Sequence, residues 1–116
     1  MHDDYLTNPK TYMALEQLFL DAFMKIISTR KNQEEYTAPF YRTTYNNGQP
    51  FGDANPIFSA RNAKHKKIIR IIIDEDESEI STAYKNTEHG VETIVFGGIS
   101  NLPELIASLD KWAKQP

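Results

Sequence analysis

Apolar side chains recur at three- and four-residue intervals from about residue 9 to about residue 30. Tyr12, Leu15, Phe19, Ala22, Phe23 and Ile26 fall on one side of the helical wheel, and Glu16, Asp21 and Lys25 fall elsewhere. Asn8-Pro9 opens this segment with a polar cap followed by proline at the first helical position, a recognised start signal. Leu18, Leu20, Met24 and Ile27 widen the apolar stripe beyond what one partner surface covers, which predicts a helix buried on two sides or meeting a second subunit.

Beyond the charged junction Arg30 to Glu35 the period changes. Residues 36–45 are rich in aromatic and β-branched side chains and predict a strand, with Pro39 confining it to a sheet edge or limiting pairing to its second half. Asn46-Asn47-Gly48 signals a turn, and the polar stretch Asn46 to Pro56 is long for a hairpin loop, a length often associated with function. Ile57 to Ala60 predicts a short strand and Ile68 to Ile73 the strongest one. In the latter, Ile69, Ile71 and Ile73 face one way and Ile68, Arg70 and Ile72 the other. Both faces are apolar enough to suit a central strand with helices on one side and something other than bulk water over part of the second. Ile80 to Tyr84 and Val91 to Phe96 predict two more strands joined by a turn at Asn86 to Gly90, most simply as a meander. Gly97-Gly98 ends the last strand. A closing helix follows, capped by Ser100 or Asn101, with Asn101 and Glu104 at capping-box spacing and Leu102, Leu105, Ile106, Leu109 and Trp112 or Ala113 as its apolar stripe.

The expected fold is therefore a single α+β domain over 1–116: a long N-terminal helix, roughly five mostly antiparallel strands, and a C-terminal helix, both helices on one sheet face. Length and composition agree, since 116 residues with 40% hydrophobic and 25% charged side chains suit one ordinary globular core. A net charge of −3 points away from a broad nucleic-acid-binding surface. The absence of cysteine removes disulfides, thiolate nucleophiles and Cys-based zinc sites, and suits a reducing, cytoplasmic setting. The N-terminus lacks a signal-peptide pattern and the Ile68–Ile73 run is too short to span a bilayer, so neither secretion nor a membrane anchor is expected.

Candidate chemistry is sparse. Arg61, Lys64, Lys66, Lys67 and Arg70 form a basic cluster, with a phosphate-binding reading beside the plainer one of a solvated turn that keeps an isoleucine-rich strand soluble. Asp74, Glu75, Asp76, Glu77 and Glu79 form an acidic run. It fails the EF-hand pattern, having Glu79 where that loop needs glycine, but a dense acidic loop can dock and steer a basic protein partner. Gly97 to Asn101, between strand and helix, offers backbone N–H groups to an anion without a P-loop pattern. His2, His65 and His89 lack zinc-ligand spacing, the serines lack an elbow motif, and no metal or cofactor is expected. Arg42 and Arg70 stand within strands among aromatic and isoleucine residues, where each needs an acidic or π partner.

Two functions follow. In the first, the protein is a non-enzymatic interaction module, homodimeric through the Ile68/Arg70/Ile72 face or the first helix. Tyr41, Tyr45, Phe51, Asp74, Glu75, Asp76 and Glu77 then meet a partner, as in an inhibitor or antitoxin. In the second, Arg42, Arg61 and Arg70 hold an anionic small molecule, with His65 or His89 available for proton transfer.

Overall fold

A computed structural model describes residues 9–43 and 55–115. Helix α1 spans Pro9–Ile27, strands β1 Tyr36–Thr37, β2 Phe40–Thr43, β3 Asn55–Asn62, β4 Lys67–Ile73, β5 Ser81–Thr87 and β6 Gly90–Gly97, and helix α2 Leu102–Lys114. The fold is α+β, with a mostly antiparallel sheet and two helices packed together with it. α1 ends earlier than its periodicity suggests because the hydroxyls of Ser28 and Thr29 donate back to the carbonyls of Lys25 and Ile26 at 2.7 and 2.9 Å, occupying acceptors that a further turn would use. The strand expected over 36–45 is broken at Ala38-Pro39 into β1 and β2, both antiparallel to β3. Proline has no N–H for the ladder, yet the Pro39 carbonyl accepts from the Ser59 N–H at 3.1 Å, so the break stays stitched to the sheet.

The strand order is β1-β3-β4-β6-β5, with β2 beside β1 on β3. This corrects the expected meander. β5 and β6 do form a hairpin, but β6 returns between β5 and β4 and pairs parallel to β4, Ile71 opposite Val95 and Ile73 opposite Gly97. Inserting β6 puts Val95 beside Ile71 in the core, whereas the polar β5 sequence, Ser-Thr-Ala-Tyr-Lys-Asn-Thr, is left at the edge where it costs nothing to hydrate.

The alternation in β4 resolves as expected. Ile69, Ile71 and Ile73 are wholly buried beneath the helices with Phe58, Ala60 and Val95, while Ile68, Arg70 and Ile72 face away. Phe19 of α1 stacks on Phe58 with ring centroids 5.4 Å apart, and Phe23 meets Phe58 at 5.8 Å. Tyr36 lies edge-on to both Phe23 and Trp112, joining the C-terminal ends of the helices. The breadth of the α1 stripe is mostly absorbed: Ile27 is buried and Leu20 packs on the core. Met13, Leu18 and Met24 stay exposed, but Gln17 and Asp21, hydrogen-bonded at 2.7 Å, interrupt them.

Two tight approaches fix the loops. Gly90 has φ of +121°, and a Cβ there would stand 1.7 Å from the Lys66 carbonyl oxygen. A Cβ on Gly98 would stand 1.8 Å from that of Glu77. Lys67 is buried, its ammonium donating to the carbonyls of Trp112, at 2.7 Å, and Gln115, at the end of α2.

Candidate functional site

Among the described residues, both helices lie over one face of the sheet and no helix covers the other. Parity in the ladders assigns that open face to Tyr41 on β2, Ile57, Ser59 and Arg61 on β3, Ile68, Arg70 and Ile72 on β4, and Glu92, Ile94 and Phe96 on β6. Arg70 stands at its centre, opposite Ser59 on one side and Ile94 on the other. Its Nε donates to Glu92 Oε1 at 2.8 Å and its Nη1 to the Tyr41 hydroxyl at 2.8 Å, so one guanidinium ties β2 to β6 across the strands between them. The Arg70 side chain is 37% exposed and Glu92 15%, and the pair is surrounded by half-buried isoleucines and Phe96. The acidic partner that Arg70 requires thus comes from its own chain.

Arg61, Arg70, Tyr41, Ser59 and Ile68 line an open depression of about 470 Å³ on this face, together with Thr37, Ala38 and Pro39. Arg61 donates from Nε to Thr37 Oγ1 at 3.0 Å. Around the hairpin end Arg61 also borders a second depression of about 390 Å³, with Asn62, Lys66, Ile68 and His89. Because Glu92 matches the charge of Arg70, Arg61 is the main positive group facing the first depression. Arg42 is elsewhere: its guanidinium lies over the Tyr12 ring at 4.8 Å, on the helix side of the sheet. The three arginines therefore divide into a neighbouring pair and a separate π-stacked residue. Tyr12 in turn has its pKa raised above 10.0, first by burial and then by Glu16, with Arg42 opposing.

The acidic loop lies past the end of β4, at the far end of the sheet from the basic hairpin. Two of its carboxylates hold the loop itself. Asp74 Oδ1 accepts from the Asp76 N–H at 2.9 Å, and Glu77 Oε1 from the N–H groups of Ser78 and Glu79 at 3.2 and 3.3 Å. Asp76 is exposed and Glu75 half-buried. Tyr45 and Phe51 lie outside the described residues, as does His2. His65 and His89 are exposed at the two turns of the basic end, His89 beside Glu88 at 3.4 Å. The Gly97 to Asn101 turn spends its donors internally: the Gly98 N–H donates to Asn101 Oδ1 at 2.9 Å, and Asn101 Nδ2 to the Ser78 carbonyl at 3.3 Å. Asn101 thereby ties the turn to the acidic loop rather than forming the expected capping box with Glu104, and its side chain makes no cap bond to α2.

Among the described residues, no three His, Asp or Glu side chains are grouped to hold a metal ion, and no helix is long and apolar enough to cross a membrane. Glu92, which pairs with Arg70, is not among the residues that the sequence singles out. Its shared face with Ile94 was readable from alternation, but its neighbour Arg70 depends on β6 inserting beside β4. In comparisons with protein-family models, curated proteins and solved structures, nothing matches this chain.

Proposed function

We propose that this chain is a protein-interaction module that docks a partner protein on the open face of its sheet, with Arg70, Tyr41 and Glu92 at the centre of the contact. The observation carrying this reading is the ion pair held between Tyr41 and the Ile68, Ile72, Ile94 and Phe96 side chains on a face no described helix covers. A half-buried Arg and Tyr surrounded by aliphatic groups is the composition of an interface hot spot. A second copy fits this face poorly. A two-fold axis through its centre would bring Arg70 against Arg70 and desolvate both ion pairs, a cost that mutual attraction seldom recovers. A different protein offering acceptors to the free edge of Arg70 and apolar groups to the isoleucines avoids that conflict. The acidic loop at one end supports a basic partner, whose approach it would steer. An inhibitor or antitoxin-like role is one form of this function.

The test is capture of a stoichiometric partner by the intact chain, repeated with Arg70→Ala combined with Ile94→Ser. Both positions face outward, so the variant should melt as a folded protein. Loss of the partner with folding intact supports the reading, and equal retention by wild type and variant sinks it.

A second reading rests on Arg61 bordering two adjoining depressions, one with Arg70 and Ser59 and one with Lys66 and His89. This favours an anionic small molecule held at the basic end. NMR titration with inorganic phosphate and simple nucleotides separates the two, because only this reading expects saturable shifts that Arg61→Ala abolishes.

A further inference from the structure

We propose that β5 pairs with β5 of a second copy of this chain, antiparallel about a two-fold axis at Tyr84, joining the two six-stranded sheets edge to edge. This homotypic contact is independent of the open-face reading, since it uses different residues and a different boundary of the sheet.

The sheet has two edges, and they are built differently. The β1–β2 edge is interrupted at Ala38-Pro39 into strands of two and four residues, a break that discourages pairing with another chain. β5 is unbroken. It runs seven residues from Ser81 to Thr87, contains no proline, and has no positive-φ residue. Its single charge, Lys85, stands directly opposite Glu92 of β6. In an antiparallel ladder alternate residues of an edge strand point both N–H and C=O outward, so among the described residues this edge presents a row of backbone groups with no strand beside it. Every residue from Ser81 to Asn86 is exposed. On the helix side α2 stops short of the edge, leaving Tyr84 67% exposed and Val91 46% exposed.

The strand is complementary to itself. A two-fold axis perpendicular to the sheet keeps the helix side of both copies on the same side, so only registers pairing residues of like parity are available. The register centred on Tyr84 is the one that pairs all seven residues: Ser81 with Thr87 of the second copy, Thr82 with Asn86, Ala83 with Lys85, and Tyr84 with itself. It sets hydroxyl and amide side chains against one another, brings two exposed tyrosine rings together and keeps the lysines off each other. Recentring on Lys85 places two ammonium groups face to face, and recentring on Ala83 separates the tyrosines while shortening the ladder. The preferred register is thus fixed by charge, aromatic pairing and length together. The product is one continuous sheet whose two open faces lie on the same side.

The experiment uses the full chain. Sedimentation velocity over increasing concentration should raise the mass from 13.3 kDa toward twice that value. Tyr84→Lys should remain monomeric throughout while melting like wild type, since the side chain is exposed. The protein has no cysteine, so Tyr84→Cys reports on a single contact. Mild oxidation should convert it to a disulfide-linked dimer far more completely than Lys85→Cys, whose thiols stand diagonally apart in this register. Dimers that persist in Tyr84→Lys, cross-linking no better at 84 than at 85, or a wild-type chain that stays monomeric would each overturn the proposal. Arg70→Ala with Ile94→Ser should leave the dimer intact, so loss of partner capture and loss of dimerisation are separate results.

Discussion

A methyl group on Gly98 cannot be accommodated by side-chain movement, because the atom it would strike is the Glu77 backbone carbonyl. Gly98→Ala should therefore lower the unfolding free energy by about 1–3 kcal/mol, the range for overpacking in a fixed environment, as read by urea denaturation. Lys67 invites a different measurement. Burial, and behind it the Arg30 guanidinium, hold its pKa below the ordinary 10.5. An unfolded chain keeps that lysine protonated to higher pH than the folded one, so between the lowered value and 10.5 the unfolded state binds more protons and stability rises with pH. Falling pH through the folded value removes that contribution. Urea midpoints across this alkaline window should climb more for wild type than for Lys67→Met, which cannot titrate there; parallel profiles would contradict the buried placement.

At the scale of elements, the helix-covered face of the sheet differs from the one proposed for docking, and their energetics should differ accordingly. Phe19, fully buried between Phe40 and Phe58, belongs to the stabilising side, and Phe19→Ala should cost about 3–5 kcal/mol in equilibrium unfolding. Arg70 and Glu92 belong to the other. With Arg70 more than a third exposed, a double-mutant cycle of Arg70→Met and Glu92→Gln should give a coupling of no more than about 1 kcal/mol. A larger value would make the pair a structural strut rather than a surface arranged for contact. The isoleucine alternation in β4 and the effect of Pro39 were legible in the sequence because both act through neighbours a residue or two away. The end of α1 was not, since Ser28 and Thr29 read as tolerable helix residues until their hydroxyls are seen to take the preceding carbonyls. Nor was the capture of Arg70 by Glu92, which are separated by a whole strand and a turn and meet only through non-local pairing. The partners of Arg42 and Arg70, demanded by the sequence, were legible as a need and not as an identity.

At the scale of the molecule, charge is polarised along the described strands: Arg61, Lys64 and Lys66 at one end, Asp74 to Glu79 at the other. A basic partner drawn to the acidic end should associate more slowly as salt is raised, with dissociation little changed, a pattern that stopped-flow measurement would reveal. Amide exchange should rank the strands by position. β4, flanked on both sides, should exchange slowest, while β5 should exchange fastest at low protein concentration and slow as concentration rises.

The insertion of β6 has a temporal consequence. A ribosome delivers β4 and then β5 before the strand that must separate them exists. During that interval the most hydrophobic segment of the protein, Ile68 to Ile73, has β3 on one side and nothing native on the other. The lysines before it and the carboxylates after it bracket the segment through this period, the kind of flanking charge that opposes association of an exposed apolar strand. β4 can therefore gain its second neighbour only when residues 90–97 arrive, and the core above it can close only after those, when α2 brings Leu105, Leu109 and Trp112.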